Sequence, residues 1–256
     1  MVFIIESILI FSIGLLSGAY GIIVGAGGGF ILIPSLLLIM NMSPAMAAGT
    51  GLTVVMINAF SGVFSLIKHK RIDYHLSLYI LIGTLPGSFI GFSLIEKIST
   101  NVFYVAFATV LIILGIFLLW KSRGKETLVS ERKPNIELST KIKISLVLVG
   151  IVMGTVSTFF GIGGGWLLVP ILIYLFKSTS HRATATSIFT LGLYSVIGVI
   201  IYFINGYIDW SVTLFAGTGA LIGAQIGVFI SNRITGRLII QLLSVLLIVM
   251  GITMVY

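Results

Sequence analysis

A glycine-rich segment occurs twice in this chain, and both copies lie in almost entirely apolar sequence. The first, at residues 25–34, reads GAGGGFILIP, and the second, at residues 161–170, reads GIGGGWLLVP, 136 positions later. The register continues beyond the motif without a gap and pairs, for example, Gly62 with Gly198. An internal duplication in an apolar chain is typical of transporters built from two repeats, whose substrate site lies where the repeats meet.

The composition indicates an integral membrane protein. Hydrophobic residues make up 58% of the chain and charged residues only 9%, whereas a soluble domain carries about a quarter charged residues. Each of the long uncharged stretches approaches the ~20 residues that a helix needs to cross a bilayer. These stretches cover residues 45–67, 76–95, 98–120, 183–208 and 238–256. We therefore expect an all-α polytopic membrane protein.

The repeat register divides the chain into two membrane repeats and a linker. Repeat 1 covers residues 1–120 and repeat 2 covers residues 143–256, with a charged linker at residues 121–142. Each repeat begins with a hydrophobic hairpin broken by glycines and continues with three membrane-spanning helices. The second arm of the first hairpin, residues 30–40, would measure about 16 Å as a helix, which is too short to cross a hydrocarbon core of ~30 Å.

The basic residues predict the orientation of the repeats. If the basic linker is cytoplasmic, alternation of the spans places 14 of the 15 Lys and Arg residues on the cytoplasmic side and only Lys97 outside. Cytoplasmic loops retain Lys and Arg, so the count favours this arrangement. It places both termini on the non-cytoplasmic side of the membrane. It also gives each repeat an odd number of crossings, so the two repeats are predicted to have inverted topology.

The two glycine runs are the candidate binding site for a small anion. Non-helical backbone at membrane depth persists only where it is buried in protein or lines a cavity. A helix that starts just after each run would direct its free N–H groups and positive dipole end at this space, and nearby hydroxyls would add donors. The predicted substrate-binding residues are Gly27, Gly28, Gly29, Thr50, Gly163, Gly164, Gly165, Thr186 and Ser187.

Structural interpretations of the same residues stay open at this point. Glycine and threonine are common in membrane helices, where they allow close packing and hydrogen bonds between helices. Asp73 and Asp209 precede predicted spans and most simply cap the N-termini of helices. The spans carry no cluster of carboxylates or histidines, so we expect no enzyme, catalytic residue, metal or cofactor. The expected partners are a small anionic substrate and the lipid bilayer. No nucleic-acid partner is expected, and the sequence leaves open whether the chain forms a homo-oligomer.

The doubled glycine motif is accompanied by AAGTG at residues 47–51, ATATS at residues 183–187 and GYIDW at residues 206–210. Together these motifs resemble the TauE/SafE family over essentially the whole chain. The resemblance implies an inner-membrane secondary transporter, most simply an exporter, of sulfite, sulfoacetate or related sulfonates, with alternating access about a site at the bilayer midplane. The residues alone give a repeat transporter with an anion-compatible site. They leave open a carrier of another small anion and a non-transporting membrane scaffold.

Overall fold

The computed structural model describes residues 2–68, 72–122, 140–231 and 233–254, and within these ranges the chain forms ten α-helices without strands. In chain order the helices are α1 (Val2–Val24), α2 (Gly29–Leu38), α3 (Pro44–Lys68), α4 (Tyr74–Ile95), α5 (Thr100–Ser122), α6 (Thr140–Phe160), α7 (Gly165–Tyr174), α8 (Ser180–Ile204), α9 (Trp210–Ser231) and α10 (Gly236–Thr253). The predicted all-α fold class is confirmed. Most of the predicted linker lies outside the described residues.

The helix boundaries repeat together with the sequence. The bounds of α2, α3 and α4 become those of α7, α8 and α9 when 136 is added to each residue number. Eight of the helices in the described ranges are long and apolar enough to cross a membrane, whereas α2 and α7 have 10 residues each. Helices of that length measure about 15 Å. The prediction of a short second arm in each hairpin is therefore confirmed.

The two repeats exchange helices in their packing. Helix α1 of repeat 1 packs along α9 of repeat 2, and α6 of repeat 2 packs along α4 of repeat 1. Glycines allow these helices to lie close together. A side chain added at Gly14 would meet the backbone of Ala216, and one added at Gly150 would meet the backbone of Ile80. Small residues of this kind let membrane helices approach until their backbones touch. The two contacts are equivalent, because Gly14 corresponds to Gly150 and Ile80 to Ala216 in the register of the repeats.

The centre of the molecule is built from α3 and α8, which pack against each other and have the largest buried share among the long helices. The short helix α2 packs on α3, and α7 packs on α8. Helices α5 and α10 pack mainly against each other and are among the least buried long helices. This arrangement places both glycine runs next to the central pair.

Hydrogen bonds at the start of α4 and α9 confirm the predicted helix caps. Asp73 Oδ1 accepts the backbone N–H of Leu76 at 3.2 Å, and Asp209 Oδ1 accepts the backbone N–H of Val212 at 3.0 Å. The first N–H groups of a helix have no partner within the helix, and an Asp at the N-cap supplies one. Both aspartates therefore fix the first turn of a membrane helix.

Candidate functional site

The two glycine runs meet at the interface between the repeats. A side chain added at Gly29 would meet the backbone of Ile162. One added at Gly165 would come within 2.5 Å of Gly25 O and 2.9 Å of Ala26 Cα. Since α2 begins at Gly29 and α7 at Gly165, each short helix starts against the glycine run of the other repeat. The N–H groups that a helix leaves unpaired at its N-terminus therefore lie at this interface in both repeats.

Backbone geometry and space both require glycine in the middle of each run. Gly27 and Gly163 have φ angles of 82° and 66°, in the left-handed region that side chains disfavour. A Cβ atom at Gly27 would lie 2.5 Å from Leu191 and 2.9 Å from Val55, and one at Gly163 would lie 2.5 Å and 2.8 Å from the same side chains. Val55 and Leu191 hold equivalent positions on α3 and α8. These two apolar side chains therefore cover both glycine runs in this conformation.

Ser187 connects the two glycine runs. Its Oγ lies within hydrogen-bond distance of two carbonyl oxygens, 2.8 Å from Gly25 O and 3.2 Å from Gly165 O. These carbonyls belong to different repeats, so one hydroxyl on α8 contacts both. The equivalent position in repeat 1 is Gly51. Ser187 is thus a predicted site residue that the structure brings together with the glycines.

Thr50 and Thr186 make a different contact. Thr50 Oγ1 accepts the backbone N–H of Asp209 at 2.9 Å, and Thr186 Oγ1 accepts that of Asp73 at 3.0 Å. Both threonines are buried, and each pair crosses from one repeat to the other. Their hydrogen bonds therefore reach the starts of α9 and α4 instead of the glycine runs.

The start of α4 is held by more contacts than the start of α9. Arg182 lies 3.8 Å from Asp73 Oδ2, and Thr190 Oγ1 lies 2.8 Å from Ser77 Oγ. Neither contact can form at the start of α9, because repeat 1 has apolar residues at the positions equivalent to Arg182 and Thr190. Those residues are Met46 and Val54. The Thr50–Asp209 and Thr186–Asp73 contacts thus use the same kind of hydrogen bond, but only the second has additional polar contacts around it.

Two further buried polar side chains face the glycine runs from equivalent positions. Asn58 Nδ2 donates to Gly27 O at 3.0 Å, and its Oδ1 has no partner within the described ranges. Tyr194 Oη lies beside the Gly164 backbone and the Ser157 hydroxyl, without the geometry of a hydrogen bond to either. Neither side chain is among the site residues predicted from the sequence. The available signal was a polar residue at the same position of both repeats.

The sequence model of the sulfite exporter TauE/SafE family matches residues 10–254. YunE of Bacillus subtilis, named a probable membrane transporter protein, is 29% identical over 266 residues, which cover 97% of each chain. MJ0441 of Methanocaldococcus jannaschii carries the same description and is 32% identical over 200 residues, or 76% of this chain and 71% of that protein. No solved structure matches the chain.

The family match spans nearly the whole chain and includes both glycine runs. It agrees with a helical protein whose described part contains eight helices of membrane-spanning length. The relatives are named as transporters, which fits a role other than catalysis. The chain therefore belongs to the TauE/SafE family of sulfite exporter-like membrane transporters.

Proposed function

We propose that this chain is a secondary transporter that exports small sulfur-containing anions, such as sulfite, sulfoacetate and related sulfonates. The observation that carries the proposal is the meeting of two helix N-termini, α2 at Gly29 and α7 at Gly165, at the interface between the repeats. Each N-terminus is equivalent to about half a positive charge. Together they offset about one unit of negative charge, which suits a monoanion held between Gly27–Gly29 and Gly163–Gly165.

The side chains around the glycine runs support an anion bound by neutral donors. Ser187, Asn58 and Tyr194 are uncharged and buried, and the arginine of α8, Arg182, lies in the first turn of that helix and contacts Asp73. Backbone N–H groups and hydroxyls bind oxyanions without a full positive charge. Thr50 and Thr186 contact the starts of α9 and α4 in this conformation, so they join this set only if the movement of the repeats releases them.

Transport then requires the central apolar side chains to move. Val55 and Leu191 cover both glycine runs, so an anion reaches the N–H groups only after α3 or α8 shifts. Movement of one repeat against the other about a fixed midplane site is the usual route to alternating access in repeat transporters. In this proposal, Thr50 with Asp209 and Thr186 with Asp73 are the contacts between repeats that form and break during the cycle.

A binding and flux assay on the purified, reconstituted protein tests the proposal. Thermal unfolding is measured with sulfite, thiosulfate, sulfoacetate, taurine and sulfate, and release of labelled sulfite from proteoliposomes is followed in parallel. We expect a sulfur monoanion to raise the unfolding temperature, since a ligand at 100 times its Kd stabilises the folded state by about 2.7 kcal/mol.

Matched variants identify the site in the same assay. Gly164→Leu should abolish stabilisation by sulfite because Gly164 lies among the buried side chains of Met153 and Tyr194. Gly206→Leu is the control, since a side chain there would have no neighbour within 4 Å. A folded wild-type protein that neither binds nor transports any of these anions would contradict the proposal and favour the scaffold interpretation. Flux restricted to a sulfur-free anion would show that the proposed substrate class is wrong.

A further inference from the structure

Buried polar atoms without a partner are distributed unevenly between the repeats. Within the described ranges they are Asn58 Oδ1, Ser88 Oγ, Ser157 Oγ, Trp166 Nε1, Thr184 Oγ1 and Tyr194 Oη. Four of them belong to repeat 2, and repeat 1 has glycine, phenylalanine and alanine at the positions equivalent to Ser157, Trp166 and Thr184. A buried polar group without a partner costs free energy, so a concentration of such groups calls for an explanation.

Two of these unpaired groups lie at the start of α7. Gly164 is the N-cap of this helix, and a Cβ atom at Gly164 would lie 3.0 Å from Tyr194 Oη. Ser157 Oγ lies beside the same hydroxyl. Tyr194 is 1% exposed and Ser157 is fully buried. Both hydroxyls can donate a hydrogen bond, and Tyr194 Oη lies at the N-cap of α7, where the first N–H groups of the helix have no partner within the helix.

The equivalent end of α2 offers the opposite chemistry. Asn58 has already used its amide donor on Gly27 O, and the atom that remains unpaired is the acceptor Oδ1. The orientation of the Asn58 amide follows from its contact with Gly27 O, because a carbonyl oxygen needs an N–H donor opposite it. Ser17 Oγ also lies near the start of α2, 2.9 Å from the Cβ position of Gly28. An unpaired acceptor repels an anion, whereas unpaired donors attract one.

We propose that the transported anion binds at one end of this symmetric framework, at the N-terminus of α7, with Tyr194 Oη and Ser157 Oγ as hydrogen-bond donors. The inference rests on the proposed function and narrows its site from both helix ends to one. The ligand class is a monoanion with several acceptor oxygens, a sulfonate or hydrogensulfite, whose oxygens can each face one of the donors from the two side chains and the helix end.

The test compares the affinity for sulfite of the reconstituted full-length protein and its variants. Tyr194→Phe and Ser157→Ala should each weaken sulfite binding by about tenfold or more, the usual loss for a hydrogen bond to a charged ligand. Their unfolding temperatures without sulfite should stay near that of the wild type, because each change removes a hydroxyl that has no partner.

Two controls separate binding from folding. Tyr202→Phe removes a buried hydroxyl that donates to Thr158 O at 2.6 Å, so it should lower the unfolding temperature and leave sulfite affinity unchanged. Ser17→Ala changes a hydroxyl beside the N-cap glycine of α2 and should also leave affinity unchanged. An equal loss in Ser17→Ala would overturn the one-sided site.

The outcomes distinguish this inference from the proposed function. Wild-type protein that binds sulfite, together with folded Tyr194→Phe and Ser157→Ala variants of unchanged affinity, would overturn this inference alone. Wild-type protein that does not respond to sulfite would overturn both. If Tyr194→Phe does not fold, the sulfite affinity of Ser157→Ala alone tests the inference, because that substitution removes only one small hydroxyl group.

Discussion

Thr50 Oγ1 accepts the backbone N–H of Asp209 at 2.9 Å, although the two residues belong to different repeats. Asp209 in turn caps α9 through its carboxylate, so the start of a repeat 2 helix is held by a repeat 1 side chain. Thr186 and Asp73 form the equivalent contact at the start of α4. The N-termini of α4 and α9 are therefore fixed by the central helices of the opposite repeat.

Replacement of Thr50 by valine should destabilise the fold by about 1–3 kcal/mol, because the partly buried N–H of Asp209 would lose its acceptor. Thr50→Ser keeps the hydroxyl and should stay close to the wild type. Thr186→Val should cost less, since Arg182 and Thr190 also contact the start of α4. Unfolding of the purified variants in detergent measures the differences. Wild-type stability in Thr50→Val would show that this hydrogen bond contributes nothing.

Substrate flux under an imposed pH gradient should be retained in Asp73→Asn and Asp209→Asn. Both aspartates act as helix caps, and asparagine caps a helix about as well as aspartate. Asp209→Ala should instead cost about 0.5–2 kcal/mol of stability through loss of the cap. Flux in proteoliposomes under an imposed pH gradient is the measurement. Abolished flux in a folded Asp→Asn variant that still binds substrate would mean that the carboxylate carries a proton.

Alanine should be tolerated much better at Gly206 than at Gly28. Both glycines have positive φ, 75° and 84°, so each substitution carries backbone strain of roughly 1–2 kcal/mol. A side chain at Gly206 has no neighbour within 4 Å, whereas one at Gly28 would overlap the backbone carbonyl of Ser17. Thermal unfolding should therefore show a clearly larger loss for Gly28→Ala. Equal losses would mean that the run relaxes freely around the new methyl group.

Single-cysteine variants at Lys97 and Arg233 test the inverted topology directly. These residues occupy equivalent positions of the two repeats, both are exposed, and the natural chain has no cysteine. Inverted repeats place Lys97→Cys outside the cell and Arg233→Cys in the cytoplasm. An impermeant thiol reagent added to intact cells should therefore label only the first. Labelling of both variants would contradict the predicted orientation, and lysed cells provide the control for accessibility.

Much of the architecture could be predicted from the sequence because it depends on local properties. Hydrophobic length predicted the long helices, and the short second arm was predicted at residues 30–40, close to the 10 residues of α2. Asp73 and Asp209 were predicted as caps from their position before a span. The duplication extended each prediction from one repeat to the other. These features require no knowledge of which helices touch.

The composition of the candidate site depends on contacts between the repeats, which the register alone does not reveal. Equivalence identified Thr50 with Thr186, but it did not show that each would reach an aspartate of the opposite repeat. Tyr194 lies in an apolar stretch typical of lipid-facing or packed helix, and its importance emerges only when α8 lies beside Gly164. The contact of Val55 and Leu191 with both glycine runs could not be predicted for the same reason, since both are ordinary apolar residues of membrane helices.

The exchange of α1 and α6 between repeats has a consequence for synthesis in the cell. Helix α1 enters the bilayer early, but the glycine face around Gly14 is covered by α9, near the end of the chain. During translation the first repeat therefore stands in lipid with a close-packing surface that has no partner yet. The native packing of α1 therefore waits for the second repeat, and a chain that stops after α5 leaves the glycine face of α1 without the helix that covers it.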